Sequence, residues 1–161
     1  MSQYSAEGRP GLVAAIARSS SVVEMLLRRW LGTVVDTVAL GGMLFVTFLL
    51  GEQTRPIGIV LWLIATLLYY PVSEGVWGRT LGKLVTGMIV VDETGRPPGI
   101  WKAVLRTLLR LIEVNPFLLG GIPAGIAVAM SEKRQRLGDM VAQTYVVPLK
   151  ALSETVSTVF D

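Results

Sequence analysis

Four ionisable residues sit where an apolar sequence tolerates them poorly: Arg29, Asp36, Glu74 and Asp139. Asp36 interrupts the apolar run Trp30 to Leu50, which at about 20 residues is long enough to cross a hydrocarbon core as a helix. A charge inside such a segment costs a few kcal/mol at mid-membrane, so Asp36 should face protein or water. Two chemistries follow. A desolvated carboxylate has a raised pKa and exchanges a proton for a hard cation such as sodium, which makes Asp36 an ion or proton site. Alternatively, an arginine such as Arg106 or Arg110 pairs with it and fixes helix register. Arg29 lies two turns earlier on nearly the same face, but roughly 10 Å away along the axis. Each of the two therefore needs a partner from another helix.

Asp139, after Leu137-Gly138 in a basic stretch, is either a cap or salt-bridge partner or the second carboxylate of an ion path. Glu74 either lines an inner vestibule or pairs with Arg79 or Lys83. Arg29, beside Trp30, is an interfacial anchor or a gate. Lys102, Arg106 and Arg110 recur every four residues on one helical face and are candidates for anionic lipid headgroups.

The rest of the composition narrows the chemistry. With no cysteine and no histidine, thiolate metal sites, disulfides and cysteine or histidine catalysis are excluded. Gly82-Lys83 invites a phosphate-loop reading, but the spacing from Gly78 is one residue short and Leu84 stands where a Ser or Thr would bind magnesium. No enzymatic reaction, cofactor, metal or nucleic-acid partner is expected. The formal charge is +3, and its basic residues flank apolar segments, as orientation signals do.

The elements that must position these groups are membrane elements. Just over half of the 161 residues are hydrophobic and only 17% charged, too apolar for an ordinary soluble domain. Met1 to Pro10 is polar and lacks the features of a secretory signal peptide. Gly11 to Leu27 reads as an amphipathic interfacial helix that Ser19-Ser20-Ser21 could break, or as a partly ordered leader. The first span runs from about Trp30 to Leu50, behind Arg28 and Arg29. Gly51 to Pro56 is a tight connection, and the second span covers about Ile57 to Trp77, with Pro71 expected to kink it.

The second half is less regular. Met88 to Val91 is a strand that stops at Asp92-Glu93-Thr94-Gly95, and Thr144 to Val147 is a second β-prone run able to pair with it. Trp101 to Ile112 has the spacing of a basic amphipathic helix in the interface plane, ended by Asn115-Pro116. Phe117 to Met130 is apolar but short for a full span and rich in glycine. Basic residues flank both ends of 100–130, so the number of crossings between them is even. A re-entrant hairpin or two short crossings satisfies that; the hairpin is favoured. The chain is thus expected to be an all-α integral membrane protein with two long transmembrane helices, an amphipathic/re-entrant helical hairpin and a small cytoplasmic two-stranded β element. Its divisions are an N-terminal cytoplasmic or interfacial segment (1–27), a membrane domain (28–148) and a polar C-terminal tail (149–161) of little information.

Three ordered blocks resemble the RDD family of small membrane proteins, named for an arginine and two aspartates. They are Arg29-Trp-Leu-Gly-Thr-Val-Val-Asp36, Thr80-Leu-Gly-Lys-Leu-Val-Thr-Gly-Met-Ile-Val-Val-Asp-Glu-Thr-Gly95, and Arg134-Gln-Arg-Leu-Gly-Asp139 running into Thr144-Tyr-Val-Val147. The resemblance implies that Arg29, Asp36 and Asp139 are the signature triad. Two departures are mild: Gly32 stands where alanine is expected and Gln143 where glycine is expected. The resemblance also implies a transport role of the sodium–proton antiport kind, with sodium or protons as ligands. Two spans and a hairpin are too few to enclose a water-filled path, so a transporter of this size would work as a homo-oligomer. The competing class is a non-transporting adaptor or accessory subunit whose intramembrane charges recognise a partner. Either would lie in the cell (plasma or inner) membrane as a multi-pass protein, with both termini cytoplasmic and anionic lipids around it.

Overall fold

A computed structural model describes residues 11–113 and 122–160, arranged as α1 (Leu12–Ser19), α2 (Val22–Leu49), α3 (Arg55–Trp77), α4 (Leu81–Val85), β1 (Met88–Asp92), α5 (Gly99–Glu113), α6 (Ile122–Met130), α7 (Leu137–Val141), β2 (Thr144–Pro148) and α8 (Leu149–Phe160). The expected breaks at Asn115-Pro116 and the segment Met1 to Pro10 lie outside the described residues. So does the link between α5 and α6.

Helices α2 and α3 are long and apolar enough to cross a membrane, and only 17% and 11% of their most apolar stretches is buried. A soluble core helix of such hydropathy would be mostly covered, whereas here Val38, Phe45, Leu49, Ile57 and Leu67 are exposed. The two helices form a hairpin through the turn at Gly51, whose carbonyl accepts from the N–H of Thr54 at 3.1 Å. Along the hairpin, the indole N–H of Trp62 donates to the Leu40 carbonyl at 2.8 Å. α2 starts at Val22, ahead of the expected Trp30, and α3 runs on through Pro71 to Trp77. Gly78, at φ 67°, closes α3 with its N–H on the Glu74 carbonyl. A Cβ there would lie 2.6 Å from the Val90 carbonyl oxygen, so only glycine lets α3 end against β1.

β1 and β2 pair antiparallel, with Val90 opposite Val146 and Met88 opposite Pro148, and both faces of this ribbon are covered. On one face Ile89, Val91, Tyr145 and Val147 pack with Val13, Ile16 and Ala17 of α1 and Leu152 of α8. On the other, Met88, Val90 and Val146 meet Met25 of α2. A two-stranded ribbon is marginal in water unless a helix packs on it, and here helices pack on both sides. The Ser19-to-Ser21 break is real, since α1 ends at Ser19 and α2 resumes at Val22. Yet the apolar stripe of α1 lies on the sheet rather than along a lipid interface. The C-terminal segment also departs from expectation: it is a helix, and Leu152 completes the same core.

The chain repeats itself in space. α2–α3–α4–β1 and α5–α6–α7–β2 have the same order, and α4 packs on α2 as α7 packs on α5. Likewise α3 packs on α5 and α6 on α2. Leu81-Gly82, Val85, Gly87 and Val90-Val91 correspond to Leu137-Gly138, Val141, Gln143 and Val146-Val147. Because Val90 and Val146 are both equivalent and directly paired, an approximate two-fold axis passes between them. Gly87 at φ 67° and Gln143 at φ 52° occupy the same left-handed position ahead of their strands.

Candidate functional site

Asp36 is 1% exposed and sits where α2 and α4 touch backbone to backbone. A Cβ on Gly82 would collide with the Gly32 carbonyl, so glycine at position 82 sets the approach. At Gly32 a Cβ would stand 3.2 Å from the Gly82 carbonyl oxygen, so the alanine expected there fits if α4 yields slightly. This closeness carries the N-terminus of α4 onto the carboxylate. Asp36 Oδ1 accepts from the Gly82 N–H at 2.7 Å and from the Tyr69 hydroxyl at 2.8 Å, and Oδ2 accepts from the Thr80 hydroxyl at 2.8 Å. Tyr69 in turn accepts from the Leu81 N–H at 2.9 Å. Asp36 therefore caps a short helix from a neighbouring one, accepting the Gly82 N–H itself and serving the Leu81 N–H through Tyr69. The pairing expected with Arg106 or Arg110 is not made: the donors to Asp36 are neutral.

Those arginines are engaged elsewhere. Arg106 is 2% exposed and lies between two carboxylates, its Nε 3.1 Å from Glu74 Oε2 and a terminal nitrogen 2.8 Å from Asp139 Oδ1. It also donates to the Thr144 hydroxyl at the start of β2. Glu74 receives Lys83 Nζ on its other oxygen at 2.6 Å. Asp139, fully buried, receives Arg29 at 3.1 Å and the backbone N–H of Arg136 at 3.2 Å on Oδ2. Arg29 goes on to donate to the Arg134 carbonyl at 2.9 Å. The alternating series Lys83, Glu74, Arg106, Asp139, Arg29 thus joins α4, α3, α5, α7 and α2. Taking this many charges out of water is costly, and each is compensated by a partner of opposite sign.

Ionisation follows from these neighbours. Burial by itself would raise the Asp139 pKa, but the guanidiniums of Arg106, Arg136 and Arg29 outweigh it and hold the carboxyl below its ordinary 3.8. Burial pushes Lys83 down to about 8 against the pull of Glu74, which leaves it mostly protonated at neutral pH.

The sequence-derived candidates therefore separate into two neighbouring groups. Asp36 belongs to a neutral hydrogen-bonded cap; Glu74, Asp139 and Arg29 belong to an ionic series. Glu74 takes Lys83, one of its two expected partners. Arg106 is turned inward, which corrects its reading as a headgroup contact, and Arg110 stacks over the Tyr70 ring at 4.0 Å. The reason is the polarity of the surroundings. α5 exposes Trp101 (85%), Leu105 and Leu108 and packs its Ala103–Arg106–Arg110 side against α3, an amphipathicity inverted relative to a soluble helix. Lys102 is half-buried. Tyr69, Thr80, Arg136 and Thr144 were not singled out from the sequence as parts of one site. Thr80 had a signal: a threonine just before Leu-Gly-Lys is a helix N-cap. Among the described residues no three acids converge as a metal site would require.

A sequence model of the RDD family matches residues 23–143, from the start of α2 to the foot of β2. No match to a curated protein or to a solved structure accompanies it.

Proposed function

Since the chain belongs to the RDD family and is accordingly a membrane protein, we propose that it acts as a non-transporting membrane adaptor. In this reading the family charges lock two spans and a helical hairpin onto a cytoplasmic module of α1, β1, β2 and α8. The observation that carries it is that every candidate ion ligand is already engaged by groups of the same chain. Asp36 is filled by three neutral donors, while Glu74 and Asp139 are filled by Arg106, Lys83 and Arg29. No carboxylate is left to exchange water for sodium. The charges pair within the chain, so recognition of a partner falls to the exposed apolar faces of α2, α3 and α5. No catalytic reaction is part of this proposal.

The approximate two-fold supports a topology. If α5 and α6 are the short counterpart of the α2–α3 hairpin, both flanks of 99–130 lie on the same side as the sheet, and both termini are cytoplasmic. The second hairpin is shorter than the first, which suits a re-entrant loop.

Sodium–proton exchange through a homo-oligomer is the second reading, favoured by the position of Asp36 at the wall of a cavity. Reconstitution of the purified chain in proteoliposomes separates the two. We expect no sodium-dependent proton flux from wild type or from Asp36→Asn. Flux in wild type that disappears in Asp36→Asn would overturn the adaptor reading.

A further inference from the structure

A cavity of about 370 Å³ lies beside the first turns of α2, with α4, α5, α6 and the sheet as its other walls. Among the described residues five basic side chains and a single carboxylate, Asp36, line it. Three of the bases are neutralised: Arg28 by Glu24 at 2.7 Å, Arg29 by Asp139 and Lys83 by Glu74. Arg110 and Arg136 are compensated less directly. Arg110 makes no hydrogen bond or close ion pair with a described residue; it stacks on the Tyr70 ring and feels Glu74 and Asp36 only at longer range. Arg136 Nε stands 3.6 Å from Asp139 Oδ1, too far for a hydrogen bond, and Arg106 and Arg29 already approach that carboxylate more closely. Asp36 forms no ion pair with either, since Tyr69, Thr80 and Gly82 hold its carboxylate. Among the described residues Arg110 and Arg136 thus depend on carboxylates that other groups hold more closely, and the excess of positive charge on one cavity calls for an anion.

The shape of the cavity narrows the choice. Guanidinium forks match the oxygens of a phosphate better than a monatomic ion. Leu26, Leu27 and Trp30 form an apolar wall, and Trp30 is exposed at the position of an interfacial anchor. We propose that this cavity binds a phosphate-bearing anion held by Arg110 and Arg136. The phosphate comes either from the headgroup of an anionic phospholipid whose chains lie along Leu26, Leu27 and Trp30, or from free phosphate. The site does not depend on the adaptor reading; it uses residues which that reading leaves without a role.

The test is thermal unfolding of the full chain in a non-ionic detergent at constant ionic strength. Short-chain phosphatidylglycerol, diacylglycerol with the same chains, and inorganic phosphate are each titrated. Phosphatidylglycerol is expected to raise the melting temperature saturably, as a ligand of the native state must. Arg110→Gln and Arg136→Gln should each weaken that response at least tenfold, and Lys102→Gln should leave it unchanged. A response to phosphatidylglycerol alone assigns the site to lipid; a response to inorganic phosphate assigns it to a free anion. No response to either, an equal response to diacylglycerol, or an unchanged response in both arginine variants overturns the proposal. Should the variants not fold, native mass spectrometry of wild type taken from vesicles with equal phosphatidylglycerol and phosphatidylcholine decides. One phosphatidylglycerol retained per chain supports the site, and retention without preference overturns it.

Discussion

Asp139 is the residue on which the ionic series turns, because it touches Arg29, Arg106 and Arg136 at once. Replacing it with asparagine leaves the buried Arg29 without a carboxylate and Arg106 with Glu74 alone, so Asp139→Asn should lose about 3–5 kcal/mol of stability in detergent. The pH dependence has a definite sign. The folded carboxyl titrates below its unfolded value of 3.8, so its contribution is complete above that pH and is lost as pH falls through the folded pKa. Melting temperature plotted against pH should therefore drop on the acid side in wild type, and Asp139→Asn should flatten that limb; an equally steep limb in both would contradict the assignment. At this scale the sequence was half legible. Two-turn spacing showed that Arg29 and Asp36 could not serve each other, and each does find its partner on another element. What the sequence could not show was which partner. Helical periodicity separates the faces of α5 but does not say which one points inward, and in an apolar surround the charged face is the one that hides.

Among elements, the two short helices and their strands carry the clearest lesson. Both strands and their pairing were readable from β-branched runs, since a lone strand would leave backbone groups unsatisfied. The glycine expected at position 143 was readable too, and the structure supplies its reason: Gln143 adopts φ 52°, where the symmetric position holds Gly87. A left-handed residue with a side chain costs about 1–2 kcal/mol, part of which the greater unfolded freedom of glycine offsets. Gln143→Gly should therefore stabilise the protein by roughly 0.5–1 kcal/mol in chemical unfolding. A loss of stability would mean that the Gln143 side chain makes a contact worth more than the strain. The C-terminal helix was missed because its alternation of polar and apolar residues gains meaning only once the sheet offers a face to Leu152.

For the molecule as a whole, the spans were legible from hydropathy alone, whereas the two-fold was not noticed although its signal is present. Leu-Gly, then Val, then Val-Val recur at one spacing in 81–91 and 137–147. The eye passes over it because the helices preceding each copy differ in length and share little pattern. The Val90–Val146 pairing has a consequence for how the chain can be divided. Everything that joins the halves, from the strand pair to α3 on α5 and Arg29 on Asp139, is non-covalent except one turn after Asp92. That turn is exposed at Glu93, Thr94, Arg96 and Pro97. Cut between Arg96 and Pro97 and expressed as two polypeptides, the protein should reassemble, so that a tag on either fragment recovers both from detergent extracts. Recovery of the tagged fragment alone would show that the turn is needed to bring the halves together. Val90→Pro, which removes the N–H that holds β1 to the Gly78 carbonyl and puts a ring on the two-fold axis, should abolish the recovery. The gene, on this view, tolerates being written as two.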